Sequence, residues 1–246
     1  MKPRTLAIAA LVLAGTAVCA RLGFWQVTRW HEKRHLNQGI AAALAAPPLR
    51  LGAEPVSEAA AIGRRIATFG RFDTTRQVLL AGRAHEGVPG VDVVTPLLLA
   101  GETLAVLVDR GWVYAADAAR ARPLDYPERR PRAVLGLAAA FERGAGGPPV
   151  QVLEADSVLV LSALRLDLDS LGARFPYALA PYVLRELPGA GLPAHPARRE
   201  PRPLDEFMHV SYAAQWFSFG TILLVGSAVL AWTRRRRSST SSDEGA

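Results

Sequence analysis

The sequence predicts a membrane protein: two transmembrane α-helices flank a β-rich, α+β domain whose strands pair mainly antiparallel. Three observations carry this expectation. Each end of the 246-residue chain holds a long apolar segment. Between them, short Val- and Leu-rich runs alternate with turn-like breaks. Half of the residues are hydrophobic and only 21% are charged, which excludes a disordered chain.

The first apolar segment runs uncharged from Thr5 to Ala20. It reaches from Leu6 to Phe24 if Arg21 snorkels to the interface, about 28 Å of helix. A basic start, a short apolar core and Val18-Cys19-Ala20 equally describe a cleaved signal peptide, so anchor and signal peptide both stand on composition. Val18 before Cys19 makes a poor lipoprotein box. Trp30 to Leu44 is helix-permissive and extends the span as a juxtamembrane helix over 25–46, ended by Pro47 and Pro48.

From Arg64 the texture changes. Arg64–Phe72, Gln77–Ala84, Val91–Leu99, Leu104–Val113 and Ala133–Glu142 read as strands. Asp73-Thr74-Thr75, Gly87-Val88-Pro89-Gly90 and Ala100-Gly101-Glu102 read as their turns. Such close spacing favours antiparallel hairpins over βαβ units. Asp167 to Arg174 reads as a short helix, and Pro181 to Leu187 as a last strand. Gly144–Pro149 and the five-proline stretch Leu187–Pro203 read as loops. The second span follows: Val210 to Trp232 is 23 residues without a charge, with Trp216 and Trp232 placed for interfacial belts.

Charge narrows the function classes. The net charge is +7, yet residues 25–208 hold 22 Lys and Arg against 20 Asp and Glu. The excess therefore sits at the ends, largely in Arg234 to Arg237, and a nucleic-acid-binding face is excluded. That arginine run places the chain's end in the cytoplasm. With two spans the start joins it there, and the middle lies outside. A single cysteine, Cys19, excludes an internal disulfide and a Cys-rich zinc site.

Chemistry-bearing strings are few. His31-Glu32-Lys33-Arg34-His35 fits H-E-x-x-H, where two imidazoles on one helix face grip zinc and the glutamate activates water. Lys33 and Arg34 oppose a dication there, and the bland reading is a solvated juxtamembrane helix. Asp109-Arg110 precedes Gly111-Trp112 at a strand end, explained equally by a buried ion pair. Gly111 permits close backbone approach, and Trp112 packs beneath the sheet. His85 and His195 fall in expected loops. His209 stands three residues before Tyr212, where the second span begins. A neutral imidazole there suits an axial haem ligand, with Tyr212, Trp216, Phe217 and Phe219 as an apolar wall. An interfacial histidine in an aromatic belt is the competing account.

Five strings, in order along almost the whole chain, resemble the surfeit locus 1 family of cytochrome c oxidase assembly factors. They are Leu22-Gly23-Phe24-Trp25-Gln26-Val27-Thr28-Arg29 with Lys33 and Leu36; Gly70-Arg71-Phe72 with Gln77-Val78-Leu79-Leu80; Gly87-Val88-Pro89-Gly90 running into Val94-Thr95-Pro96-Leu97; Val106 to Val113, carrying Arg110-Gly111-Trp112; and His209-Val210-Ser211-Tyr212-Ala213-Ala214-Gln215-Trp216-Phe217. The resemblance implies that both spans are retained: 1–5 cytoplasmic, 6–24 and 209–232 transmembrane, 25–208 extracytoplasmic, and 233–246 a basic cytoplasmic tail. It implies a bacterial inner membrane, since no organellar presequence precedes the first span. It implies a non-enzymatic role in building haem-copper oxidase, assisting haem a on its way to the catalytic subunit, with haem a synthase and the bilayer as further partners.

On the same resemblance, His209, Tyr212 and Trp216 are the haem-binding residues. Gly23, Trp25, Gln26, Arg29, Gly90, Pro96, Arg110, Gly111 and Trp112 are family-motif positions. Lys33 becomes the family's downstream basic residue, and nothing in the family requires zinc. Gly23 is placed to let the spans approach, and Arg29 and Lys33 to meet head groups or a partner. Phe207-Met208 stand where many members carry an Asn pair. A membrane zinc protease and a haem-free scaffold are the alternative functions.

Overall fold

The computed structural model describes residues 3–52, 56–101, 103–142, 150–154, 158–201 and 204–243, without the side chains of 154, 235 and 237–243. The chain divides into two compact units, Met1–Gly39 with Pro203–Ala246, and Ile40–Arg202.

The first unit is a helix pair. Helix α1 (Pro3–Ala45) runs unbroken past the first apolar segment until Pro47 and Pro48, which cannot continue it. Helix α4 (Phe207–Asp243) carries the second. Both are long and apolar enough to cross a membrane. Their flanks stay open, with Leu11 74% and Ile222 67% exposed, as lipid-facing helices require. The two run antiparallel, since Gly15 lies against Leu223 while Gly23 lies against Phe217. A Cβ on Gly23 would fall 2.7 Å from the Phe217 ring, so only glycine permits this approach. The Phe217 ring also meets Phe24 edge-on at 5.3 Å.

The second unit is a nine-stranded mixed sheet: β1 (Leu49–Leu51), β2 (Arg65–Phe72), β3 (Arg76–His85), β4 (Val88–Leu98), β5 (Leu104–Tyr114), β6 (Arg132–Ala140), β7 (Gln151–Glu154), β8 (Leu159–Ala163) and β9 (Ala178–Glu186). Their order is β1-β2-β6-β9-β5-β4-β3-β8-β7, and β2 pairs again with β4 at Phe72 and Leu97. That second pairing closes β2, β6, β9, β5 and β4 into a barrel-like ring. β4 pairs with β3 as far as Val94 and with β2 from Leu97. Pro96 sits in the gap, where a residue without an N–H costs no ladder bond on that edge.

Burial follows the closure. β2 alternates between buried and open positions, as one covered face demands. From Val91 onward β4 is buried on every residue, and β5 from Ala105 to Val113 likewise, because both of their faces are covered. Ile66, Phe72, Leu97, Val106, Val108, Tyr182 and Leu184 form one apolar cluster. Val78, Val94, Leu107, Leu161, Leu171 and Val183 form a second.

Every strand expected from the sequence is present, and several details differ. The Gly87–Gly90 turn tightens to Glu86-Gly87, and Val88 already begins β4. The sheet is mainly antiparallel as expected, and three of the pairings among the described residues are parallel, β1–β2, β3–β8 and β5–β9, so it is mixed. The last strand starts at Ala178, not Pro181. Asp109-Arg110 lies inside β5 rather than at its end, and His85 closes β3 rather than sitting in a loop. Strands β1, β7 and β8 and the short helix α2 (Glu58–Ala61) had no sequence expectation. Leu168–Gly172 forms the expected short helix α3, capped by the Asp167 carboxylate, which accepts from the Asp169 N–H. The expected loop at 144–149 lies outside the described residues.

Candidate functional site

In the helix pair, polar side chains gather where α4 begins. Gly23, Gln26, Lys33 and Asn37 share one stripe of α1 by helical spacing. The Asn37 amide donates to the Leu204 carbonyl at 2.9 Å and to Glu206 at 2.6 Å, and accepts from the Leu204 N–H at 2.8 Å. Lys33 Nζ donates to the Asp205 carbonyl at 3.2 Å. Gln26 is buried, and its Oε1 lies 2.7 Å from His209 Nδ1. No described residue hydrogen-bonds the other ring nitrogen, Nε2.

His209 is half-buried, and Tyr212, Trp216 and Phe219 follow it at spacings of three and four. These four side chains share one stripe of α4. Trp216 and Phe219 meet edge-on at 6.1 Å. Phe217, grouped with them on sequence, turns instead toward α1 and fills the notch over Gly23. Phe207 is 79% exposed and Met208 45%.

The neighbouring motif residues do other work. Trp25 is exposed with the Arg29 guanidinium 5.9 Å from its ring, and Arg29 also pairs with Glu32 at 2.8 Å. Glu32 is thus engaged by a cation, and His31 and His35 are both exposed. Among the described residues no group of three or more His, Cys, Asp or Glu gathers to hold a metal ion.

The β unit holds a cleft of about 500 Å³ beside the β-bulges at Leu80/Arg83 and Asp92/Val94. Its polar wall includes Arg83, His85, Asp92, Asp109 and Arg199. Asp92 Oδ2 accepts from Arg199 at 2.5 Å, with Arg83 at 3.7 Å, while its buried Oδ1 has no hydrogen-bond partner among the described residues. Asp109 Oδ1 accepts the Gly111 N–H at 3.0 Å. Burial pushes the Asp109 carboxyl up to about 6, and the neighbouring Asp92 charge adds to that.

Arg110 faces the opposite side of β5, so it is not Asp109's partner. It is 1% exposed, 3.1 Å from Glu128, and donates to the Tyr126 carbonyl at 2.8 Å. Burial holds its pKa down to about 10. Glu128 also meets Arg132 at 2.8 Å, and Glu186 joins Arg132 to Arg198. Burial pushes the Glu128 carboxyl up, but its Arg132 hydrogen bonds and the Arg110 and Arg198 charges outweigh that and hold it below the usual range. Gly111 has φ +114°, and the backbone of Ala197 occupies the space a Cβ would take. Ala197 bridges to Trp112 by two hydrogen bonds, 2.7 and 3.0 Å. Gly90 is filled in the same way by the Trp112 indole. These motif positions hold the barrel and its crossing strap.

Comparison with known proteins bears on the whole chain. The family model described as SURF1 family matches residues 13–221. A SURF1-like protein of Mycobacterium bovis is 26% identical over 261 residues, covering 96% of this chain and 86% of its own length. A SURF1-like protein of Monosiga brevicollis is 32% identical over 44% of this chain and 45% of its own. The Surfeit locus protein 1 of Takifugu rubripes is 28% identical over 37% of this chain and 45% of its own.

Proposed function

Because the chain belongs to the SURF1 family of cytochrome oxidase assembly factors, we propose that it assists delivery of haem a to the oxidase's catalytic subunit, with His209 as the transient iron ligand. The arrangement around His209 carries this reading. One ring nitrogen is held by buried Gln26, the other has no hydrogen-bond partner among the described residues, and an apolar stripe of Tyr212, Trp216 and Phe219 runs beside it.

That donor set fits haem. A neutral imidazole is a good axial ligand, and aromatic faces shelter a flat apolar macrocycle. If haem were bound, His209 would hold its iron and Tyr212, Trp216 and Phe219 would lie beside the macrocycle. The protein's own contribution is positional. Gly23 lets the helices approach, the Asn37 and Lys33 contacts fix where α4 starts, and Gln26 aims the ring. His209 stands at the end of an apolar span, where a haem leaving lipid would reach it. Residues 25–208 stand outside the cytoplasm of a bacterial inner membrane, and the catalytic subunit and haem a synthase are the partners. The protein catalyses no reaction of its own. No observation supports a zinc protease, since Glu32 is paired with Arg29.

The test is a pyridine haemochrome spectrum of protein purified from cells that make haem a. The parent is expected to carry haem a, and His209→Ala to lose most of it. His209→Ala with full haem content and an unchanged spectrum overturns the assignment. Colourless parent protein that still co-purifies with oxidase subunits would favour a haem-free scaffold.

A further inference from the structure

We propose that Gln26 is a positioning residue that holds His209 in the tautomer protonated at Nδ1, so that Nε2 is the nitrogen offered to a metal centre. The inference deepens the haem reading and rests on it for the identity of the ligand.

The argument is one of hydrogen-bond inventory. A carboxamide oxygen only accepts. With Gln26 Oε1 at 2.7 Å from Nδ1, the proton of that bond belongs to the imidazole. A neutral imidazole has one N–H, so Nε2 keeps its lone pair. Nδ1 is turned toward α1, and Nε2 lies across the ring from it. Burial makes the bond hard to replace. Gln26 is 8% exposed on the α1 stripe that faces α4, so water competes poorly for its amide. Gly23, one turn earlier on that stripe, sets the spacing that brings Gln26 within reach. The same arrangement, a ligating histidine donating its other ring N–H to an acceptor, fixes tautomer and ring orientation at metal sites generally, and raises ligand basicity. An amide turned the other way would donate to Nδ1, put the proton on Nε2 and block coordination.

The experiment uses the full chain in detergent or nanodiscs, comparing the parent with Gln26→Leu, Gln26→Glu and His209→Ala. The first readout needs no haem: ¹⁵N shifts of the His209 ring. The parent is expected to show a protonated Nδ1 and a bare Nε2, and Gln26→Leu to mix the two tautomers. The second readout is titration with hemin and the iron–histidine stretching band of the ferrous form. Gln26→Leu is expected to weaken hemin binding by about tenfold or more and lower the band. Gln26→Glu, a stronger acceptor, is expected to keep the tautomer and raise the band. A parent ring protonated at Nε2 overturns the proposal. So does a Gln26→Leu protein with unchanged tautomer and band. A parent that takes up no hemin but loses its fixed tautomer in Gln26→Leu supports the positioning role and overturns the haem reading alone.

Discussion

Asp109 shows how one buried carboxyl writes a pH dependence into the β unit. Its carboxyl titrates near 3.8 when unfolded and at about 6 when folded. Between those values the folded chain binds the extra proton, so stability falls as pH rises through this window and stays reduced above it. The difference corresponds to at most roughly 3 kcal/mol. Asp109→Asn keeps an acceptor for the Gly111 N–H and cannot ionise. It is expected to raise the thermal midpoint relative to the parent at pH 8, with the advantage vanishing near pH 4. A parent-to-variant difference that is flat from pH 4 to pH 8 would sink this account. Glu128 and Asp73, both held below the usual carboxylate range, act in the opposite sense and lose their contribution as pH falls. The pairwise comparison cancels them. Arg110 is the contrasting case: its charge is matched by Glu128, and its role is to fix the barrel interior.

At the scale of elements, α1 and α4 meet through small residues. A Cβ on Gly220 would stand 3.2 Å from the Cys19 Cβ, near the roughly 3.5–4.5 Å of a disulfide. Gly220→Cys is therefore expected to cross-link to Cys19 under a lipid-soluble oxidant, detected as a reducible mobility shift after cleavage of the loop between the spans. Gly226→Cys has nothing within 4 Å and is expected to stay reduced. Equal cross-linking of both variants would contradict the antiparallel register. In the sheet, the strands legible beforehand were those whose residues alternate or run continuously apolar over eight or more positions, β2 to β6 and β9. β1 is three residues long and β7 four, too short for any period to show. The parallel pairings β3–β8 and β5–β9 were invisible as well, because each partner is remote in sequence, and β1–β2 was invisible because β1 itself left no pattern.

For the whole molecule, charge placement decides orientation. Arg234 to Arg237 close the second span while residues 25–208 are nearly balanced. A reporter active only in the cytoplasm is expected to work when fused after Ala246 and to fail when inserted at Gly189-Ala190, an exposed turn. Activity at Gly189-Ala190 would overturn this orientation. Local periodicity, about 20 consecutive apolar residues and turn chemistry, all readable within a short window, determined most of the element types and both long apolar segments. The family resemblance added the choice of an anchor over a signal peptide and of His209 as the candidate ligand. It also marked Gln26, Arg110 and Gly111 as motif positions without saying what they touch. Only the tertiary structure decided that Gln26 meets a histidine 183 residues away, that Arg110 pairs with Glu128 and not with Asp109, and that β4 changes partner to close the ring. Those contacts depend on which distant surfaces packing brings together, and a linear pattern carries no record of that choice.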